Sequence, residues 1–358
     1  MRIEHLSLRS FRNASESEIS FLPGVNVICG ANAAGKTNIL EAIFYFAAGK
    51  SFRNCKDREL ISFGCDKGSI AMRFATENDV YKMSAQLSKS GRRVIRLGES
   101  APLRMTEYIG RFRAVIFTPD HLNLVKGAPE NRRRFLDLAI CQSFPRYAKT
   151  LSEYNRVLAQ KNALLKRGSV NDDLLFVYNE RLATLAAVIT VNRRKYVQKL
   201  EEEAKTFLLD MSDGKESLTL SYQSQGDGST QEEIKESYLK LFNEKSEYEK
   251  ERFLSLYGAH KDDFSVCINK KSARMYASQG QQRSIVLSLK LAEGELSYKL
   301  TGEYPVFLLD DILSELDSDR KEYILSRITD RQVIITGCES EIFENEGKIL
   351  VCEGRITQ

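Results

Sequence analysis

Apolar and polar positions along the chain change rhythm twice, and each change marks a different kind of element. The first stretch reads as strands. Over residues 2–8, Leu6 and Leu8 share one face and Ile3, His5 and Ser7 the other, an imperfect alternation, and residues 16–22 are placed to pair antiparallel with them. Residues 24–29 form a short buried strand. A helical pattern then opens at Thr37 with Ile39, Leu40, Ile43, Phe44 and Ala47. Three runs at 69–75, 80–88 and 93–97, separated by turns at Glu77-Asn78-Asp79 and Ser90-Gly91, predict a small antiparallel sheet. Residues 114–118 are a further buried strand ended by Pro119.

From about 130 to 212 the rhythm is helical. Tyr147, Leu151, Tyr154, Leu158 and Leu165 recur at helical spacing, as do Leu175, Tyr178, Leu182, Leu185, Ile189, Tyr196, Leu200, Ala204 and Phe207. Gly168-Ser169-Val170-Asn171-Asp172 lies between the two series as a turn with helix-capping residues. The pattern predicts an arm of two long antiparallel helices. At about 40 residues each, they would reach ~60 Å. A further amphipathic helix spans about 230–254. After 257 the first rhythm returns: a strand at 264–269, a helix at 281–299, buried strands of the parallel kind at 305–309 and 332–336, and a hairpin at 348–357. The predicted class is α/β: a head of mixed sheet plus antiparallel subdomain, with an inserted α-helical arm lobe. The boundaries are 1–125 and 256–358 for the two parts of the head and 126–255 for the arm.

Composition narrows the function classes only slightly. The chain has 358 residues, and 53 Lys+Arg against 49 Asp+Glu leave a net charge of +4, too mild a balance to announce nucleic acid by itself. The seven cysteines, at 29, 55, 65, 141, 267, 338 and 352, include no Cys-x-x-Cys pair, which argues against zinc ribbons, redox motifs and disulfide scaffolds. No signal peptide or transmembrane helix is expected, so the expected location is cytoplasmic, with free thiols.

Three motifs carry chemistry. Gly30-Ala31-Asn32-Ala33-Ala34-Gly35-Lys36-Thr37 fits G-x-x-x-x-G-K-[ST], with a strand before it and a helix after it, and Asn38 follows. The two glycines let backbone N–H groups turn toward phosphates, Lys36 would reach the β- and γ-phosphates, and Thr37 would ligate Mg²⁺. Val306-Phe307-Leu308-Leu309-Asp310-Asp311 is an apolar strand ending in two carboxylates. The first suits the Mg²⁺ shell, and the second suits orienting or deprotonating an attacking water. The competing reading is an acidic helix cap. Between these motifs, Ala277-Ser278-Gln279-Gly280-Gln281-Gln282-Arg283 precedes a helix. It resembles the signature motif of ABC-type ATPases; taken alone, an N-capped helix is the better account, and its order between the P-loop and the acidic strand is what makes it count. Ser314-Glu315-Leu316-Asp317 stands at the D-loop position.

With Ser10-Phe11-Arg12-Asn13, Phe117-Thr118-Pro119-Asp120-His121-Leu122, Arg132-Arg133-Arg134-Phe135-Leu136-Asp137 and Gly258-Ala259-His260-Lys261-Asp262-Asp263, the whole chain resembles the RecF family of bacterial recombination-mediator ATPases, related to SMC proteins. The resemblance implies an ABC-type head with a short helical lobe and a homodimer that sandwiches ATP. Lys36, Thr37 and Asp310 would bind nucleotide and Mg²⁺ in one subunit, while Ser278, Gly280 and Gln281 serve the other. Arg12 would lie beside the adenine or ribose, Asp311 would take the catalytic role, and Thr336 would contact the γ-phosphate. It also implies binding of single-stranded, gapped or junction DNA, with RecO and RecR as partners that load RecA.

The chain departs from the ABC pattern at three points. Asp311 replaces the usual Glu, the strand at 332–336 continues into Thr336-Gly337-Cys338 without a switch histidine, and no Q-loop glutamine follows 114–118. Slow ATP hydrolysis is therefore expected. Four basic clusters, at Arg92/Arg93/Arg96, Arg132/Arg133/Arg134, Arg193/Arg194/Lys195 and Lys270/Lys271/Arg274, are candidates for DNA phosphates, and each is equally readable as a solvated face. His260, Asp262 and Asp263 read as a metal or catalytic set or, more simply, as a structural hydrogen-bond group. An SMC-like DNA tether, a transporter ATPase subunit, a non-hydrolysing DNA clamp and a P-loop small-molecule kinase are the alternatives. The kinase would have no use for Ser278.

Overall fold

The buried strand that precedes the P-loop, Val25–Cys29, lies in a six-stranded sheet in a computed structural model of the chain. The structure describes all residues except 54, 168–170, 329, 338–346, 353, 354 and 358. Sheet order is Arg355–Thr357, Gly347–Cys352, Val25–Cys29, Val333–Gly337, Val306–Asp310, Ala114–Phe117, and all neighbours are parallel except the first pair. Val27, Ile28, Leu308, Leu309, Val333 and Ile334 are all buried. Strands covered on both faces in this way read as continuous apolar runs rather than alternating ones.

A five-stranded antiparallel sheet runs Ala14–Ser20, Arg2–Phe11, Lys67–Ala75, Val80–Ser88, Val94–Leu97. The irregular alternation at its start has a local cause. The register shifts between Ile3 and His5, and this bulge lets Ile3, Leu6 and Leu8 all face the core despite their mixed parity. Gln332 ties the two sheets together. Its side chain accepts from Ile3 N–H at 2.6 Å and donates to the carbonyls of Ile3 and Leu22, each at 2.8 Å.

The chain divides into two compact units, Met1–His121 with Val286–Gln358, and Leu122–Ile285. The expected return to the head at 256 differs from this division. Asp263–Ile268 pairs antiparallel with Leu218–Gln223, a strand whose signal the sequence reading missed, and this sheet keeps residues 256–285 in the second unit.

The second unit also corrects the arm. The helix Asp172–Met211 has 40 residues, but its partner, Pro145–Leu165, has 21. Proline at the first turn of both Pro129–Ser143 and Pro145–Leu165 starts a new helix at each, because proline suits a helix start and breaks its interior. Most of the turn expected at 168–172 lies outside the described residues, but Asn171 does cap the long helix, accepting from Leu174 N–H at 2.8 Å. The helix expected over 230–254 is two, Gln231–Glu244 and Ser246–Arg252. By length and composition Asp172–Met211 is apolar enough to cross a membrane. Half of its apolar 18-residue stretch is buried inside the protein, and the helix packs on Pro145–Leu165, Gln231–Glu244 and Leu218–Gln223.

Candidate nucleotide-binding site

Three segments converge at the carboxyl ends of the parallel strands, the usual place for a ligand in an open α/β sheet. Val25–Cys29 leads into the Gly30–Thr37 loop, Val306–Asp310 ends in the two carboxylates, and Val333–Gly337 lies between them, pairing Asp310 with Thr336 and Gly337 with Cys29. The strand in the middle thus brings Thr336 between motifs that stand near opposite ends of the sequence.

The loop geometry follows from its residues. Gly30 has φ +153°, and a Cβ there would meet the Val351 carbonyl at 2.2 Å, so only glycine fits beside the neighbouring strand. Gly35 has φ +114° and leads into the helix Lys36–Ala48. Ala33 adopts φ +65° without being glycine. Ala31, Asn32 and Ala33 are exposed, Ala34 and Lys36 are buried, and Thr37 and Asn38 are half-buried. Lys36 Nζ donates to the carbonyls of Gly30 at 2.8 Å and Ala31 at 3.2 Å, which holds the ammonium inside the loop it is expected to serve.

Opposite the loop, the Asp310 carboxylate is hydrogen-bonded to Thr37 and accepts from Thr336 Oγ1 at 3.0 Å. Burial pushes its carboxyl above the ordinary aspartate range, and these hydrogen bonds only partly oppose the rise. Thr336 Oγ1 also accepts the N–H of Asp311 at 3.0 Å. Asp311 sits at φ +51°, unusual for a non-glycine residue, and its carbonyl accepts from Ser314 at 2.7 Å. The Thr336 hydroxyl is therefore occupied in joining the two carboxylate residues.

Behind the loop lies a shell in which Asn13 and Glu41 have no role assigned from sequence, while Arg12 is expected beside the adenine or ribose. Arg12 and Asn13 form the tight turn between the first two strands. Asn13 Nδ2 donates to the Ala34 carbonyl at 2.8 Å, and its Oδ1 accepts from Asn38 at 2.7 Å. Arg12 donates twice to Glu41, at 2.8 and 2.7 Å, and once to the Glu59 carbonyl at 3.0 Å. Arg12 thus buttresses the P-loop helix through its hydrogen-bonding edge. The signal for Glu41 was a lone acid inside the apolar run Ile39-Leu40-Glu41-Ala42-Ile43.

In the second unit, Ser278 is exposed and caps the helix Gln279–Thr301. Gln281 N–H donates to Ser278 Oγ at 3.2 Å, and Ser278 N–H donates to Gln281 Oε1 at 2.9 Å. This is the reciprocal form of a capping box. Gly280 is half-buried in the first turn.

His260, Asp262 and Asp263 are not brought together on one ligand. His260 Nδ1 faces Tyr154 Oη at 2.8 Å, and Asp262 accepts from Tyr222 at 2.7 Å and from Tyr238 at 3.1 Å. Asp263 holds Arg132 through two bonds at 2.7 and 2.8 Å. Two basic clusters dissolve for the same reason. Arg132 is buried on Asp263, and Arg133 donates to the Asp262 carbonyl at 2.8 Å. Arg193 is buried on Asp137 through two bonds at 2.8 Å, and Arg194 donates to the Gly228 carbonyl at 2.7 Å.

Comparison with known proteins agrees with this architecture. The model of the RecF/RecN/SMC N-terminal domain matches residues 2–353. The DNA replication and repair protein RecF of Halalkalibacterium halodurans is 40% identical over 94% of this chain and 92% of its own length. That of Desulfitobacterium hafniense is 38% identical over 98% and 97%. A solved structure described as the recombination mediator protein RecF-ATP in the RecFOR pathway superposes with a TM-score of 0.93 at 32% identity, covering 99% of this chain and 97% of that one. An Smc head bound to the C-terminal winged-helix domain of ScpA shares the fold, with a TM-score of 0.58 at 16% identity over 100% of this chain and 97% of that one. The head is thus of the ABC type found in SMC proteins, and the chain belongs to the RecF group of DNA replication and repair proteins within the RecF/RecN/SMC N-terminal domain family.

Proposed function

We propose that this chain is an ATP-dependent DNA-binding protein that closes into a homodimer on ATP and acts on single-stranded, gapped or junction DNA in recombinational repair. The observation that carries the reading is the Thr37–Asp310 contact at the ends of the P-loop and acidic strands. A hydroxyl and a buried carboxylate in contact are hard oxygen donors of the kind Mg²⁺ takes while keeping most of its waters. Thr37 and Asp310 would hold Mg²⁺, which would supply positive charge against the phosphates. Gly30 to Thr37 would cradle the phosphates with backbone N–H groups, and Lys36 would leave its loop carbonyls for the phosphate oxygens.

Asp311 is the proposed base, aimed by its left-handed backbone and the Thr336 hydroxyl. Its short side chain and the committed threonine favour slow hydrolysis, which would reset the dimer. Ser278, Gly280 and Gln281 would meet the γ-phosphate from a second copy, the Ser278–Gln281 capping box giving up its N–H groups to the anion at this exposed helix start. A RecF relative has been solved with ATP and is described as a recombination mediator in the RecFOR pathway. By that relationship RecR, and RecO through it, are the proposed partners in loading RecA. The proposed location is the cytoplasm.

The test is ATP hydrolysis against protein concentration, with and without gapped duplex DNA, for the wild type and Ser278→Arg. Turnover per chain should rise with concentration, respond to DNA, and vanish in the variant. Flat turnover that ignores DNA and survives the substitution would favour a monomeric P-loop kinase instead.

A further inference from the structure

A cleft of about 510 Å³ opens on the first unit, lined by residues of the 56–58, 88–95 and 103–108 segments. Its walls carry Lys56, Arg58, Lys89, Arg92, Arg93 and Arg104, and Asp57 is their one carboxylate. Arg93 is a structural member. It donates to Tyr45 Oη at 3.1 Å and to the Gly49 carbonyl, and pairs with Asp57 at 3.3 Å. The other five cations are exposed, and their side chains have no carboxylate partner among the described residues. Cations gathered around a concave surface focus a positive potential and attract a polyanion.

The cleft is separate from the P-loop. Met105 and Tyr108 stand against Gly49, where an added Cβ would approach each at 2.8 Å. Gly49 caps the C-terminal end of the 13-residue helix Lys36–Ala48, whereas the P-loop is at its N-terminal end. At 1.5 Å per residue the two ends are ~20 Å apart.

We propose that this cleft seats the phosphodiester backbone of a DNA strand, with Arg58, Lys89 and Arg92 on the phosphates. The inference rests on the DNA-binding reading above and names its surface. Contacts of this chemistry position a strand without reading its bases.

The test is fluorescence anisotropy with gapped duplex DNA over a salt series, comparing wild type and Arg58→Ala/Arg92→Ala. Melting temperature and the affinity for a fluorescent ATP analogue are measured on each. The double variant should bind DNA about tenfold more weakly, lower the slope of log K against log salt by about 2, and keep its nucleotide affinity. A wild type that does not bind DNA overturns the DNA reading and this inference with it. A wild type that binds, beside a double variant with unchanged affinity and slope, overturns the cleft alone. Tripolyphosphate bound in the cleft, with DNA affinity untouched by the double variant, assigns it to a free polyphosphate and overturns the DNA seat.

Discussion

Arg12 and Glu41 meet through two parallel hydrogen bonds at 2.8 and 2.7 Å, and Glu41 has no exposed surface. The pair links the turn of the first hairpin to the helix that follows the P-loop. Removing the arginine would leave a buried carboxylate with Ser51, the Cys55 thiol at 3.8 Å and the guanidinium of Arg53 at 3.6 Å. Arg12→Ala should therefore lose about 3 kcal/mol of stability, while Arg12→Met/Glu41→Leu should lose much less, because both charges go together. Urea denaturation of the two variants decides the matter; equal losses would mean that packing, not the charge pair, holds the hairpin to the helix.

The Asp310 carboxyl is raised by burial, so its ionised form weighs against folding in the nucleotide-free protein. Asp310→Asn should then raise the melting temperature at pH 7 by about 2–4 °C, the equivalent of about 1 kcal/mol in a domain of this size. The sign follows from linkage. A raised folded pKa means the fold gains stability as pH falls through that value, so the difference between variant and wild type should shrink on acidification and vanish below the ordinary aspartate pKa. The same variant should lose any stabilisation by ATP with Mg²⁺. Calorimetry over pH 3–7 showing a variant that melts lower throughout would contradict this.

Thr336 holds Asp310 and Asp311 by one hydroxyl. Thr336→Val keeps the volume but leaves the Asp311 N–H without its acceptor. A loss of about 1–3 kcal/mol is expected, together with loss of ATP turnover, and Thr336→Ser should restore both. A valine variant that turns over ATP at the wild-type rate would falsify the bridging role.

Ala33 adopts φ +65° within the P-loop, a conformation that disfavours any residue with a Cβ by about 1–2 kcal/mol. Ala33→Gly relieves this but adds freedom to the unfolded chain, about 0.5–1 kcal/mol in the other direction. The variant should be as stable as the wild type or slightly more so, by thermal melting. A clear loss would mean that the Ala33 methyl contributes to the loop.

His260 is buried, which lowers its pKa to about 4, and it stays neutral between Tyr154 Oη and the Ser255 carbonyl. The unfolded chain takes up the proton near pH 6.5, before the fold can. Stability should therefore fall as pH drops from about 6.5 to about 4, by up to about 3 kcal/mol. His260→Gln should flatten that slope in urea titrations across the window; a slope equal to the wild type's would place the acid sensitivity elsewhere.

Much of this molecule was legible from local rules. Glycine spacing, the strand before it and the helix after it located the P-loop, and the apolar run ending Asp310-Asp311 located the acidic strand, because each motif is dictated by backbone geometry within a few residues. Helical spacing located the arm, and family resemblance supplied the order of the parts. Tertiary structure decided what depends on partners distant in sequence. Val333–Gly337 inserts between the two motif strands and turns Thr336 into the bridge between the Asp310 carboxylate and the Asp311 backbone N–H. A lone Glu41 becomes the anchor of Arg12, and His260, Asp262 and Asp263 go to three separate partners. Clusters of arginine look alike in one dimension; only burial distinguishes Arg132 and Arg193, held by carboxylates inside the second unit, from Arg58 and Arg92, left facing water around a cleft. A charge in sequence is only a sign, and its partner and its solvent exposure are properties of the fold.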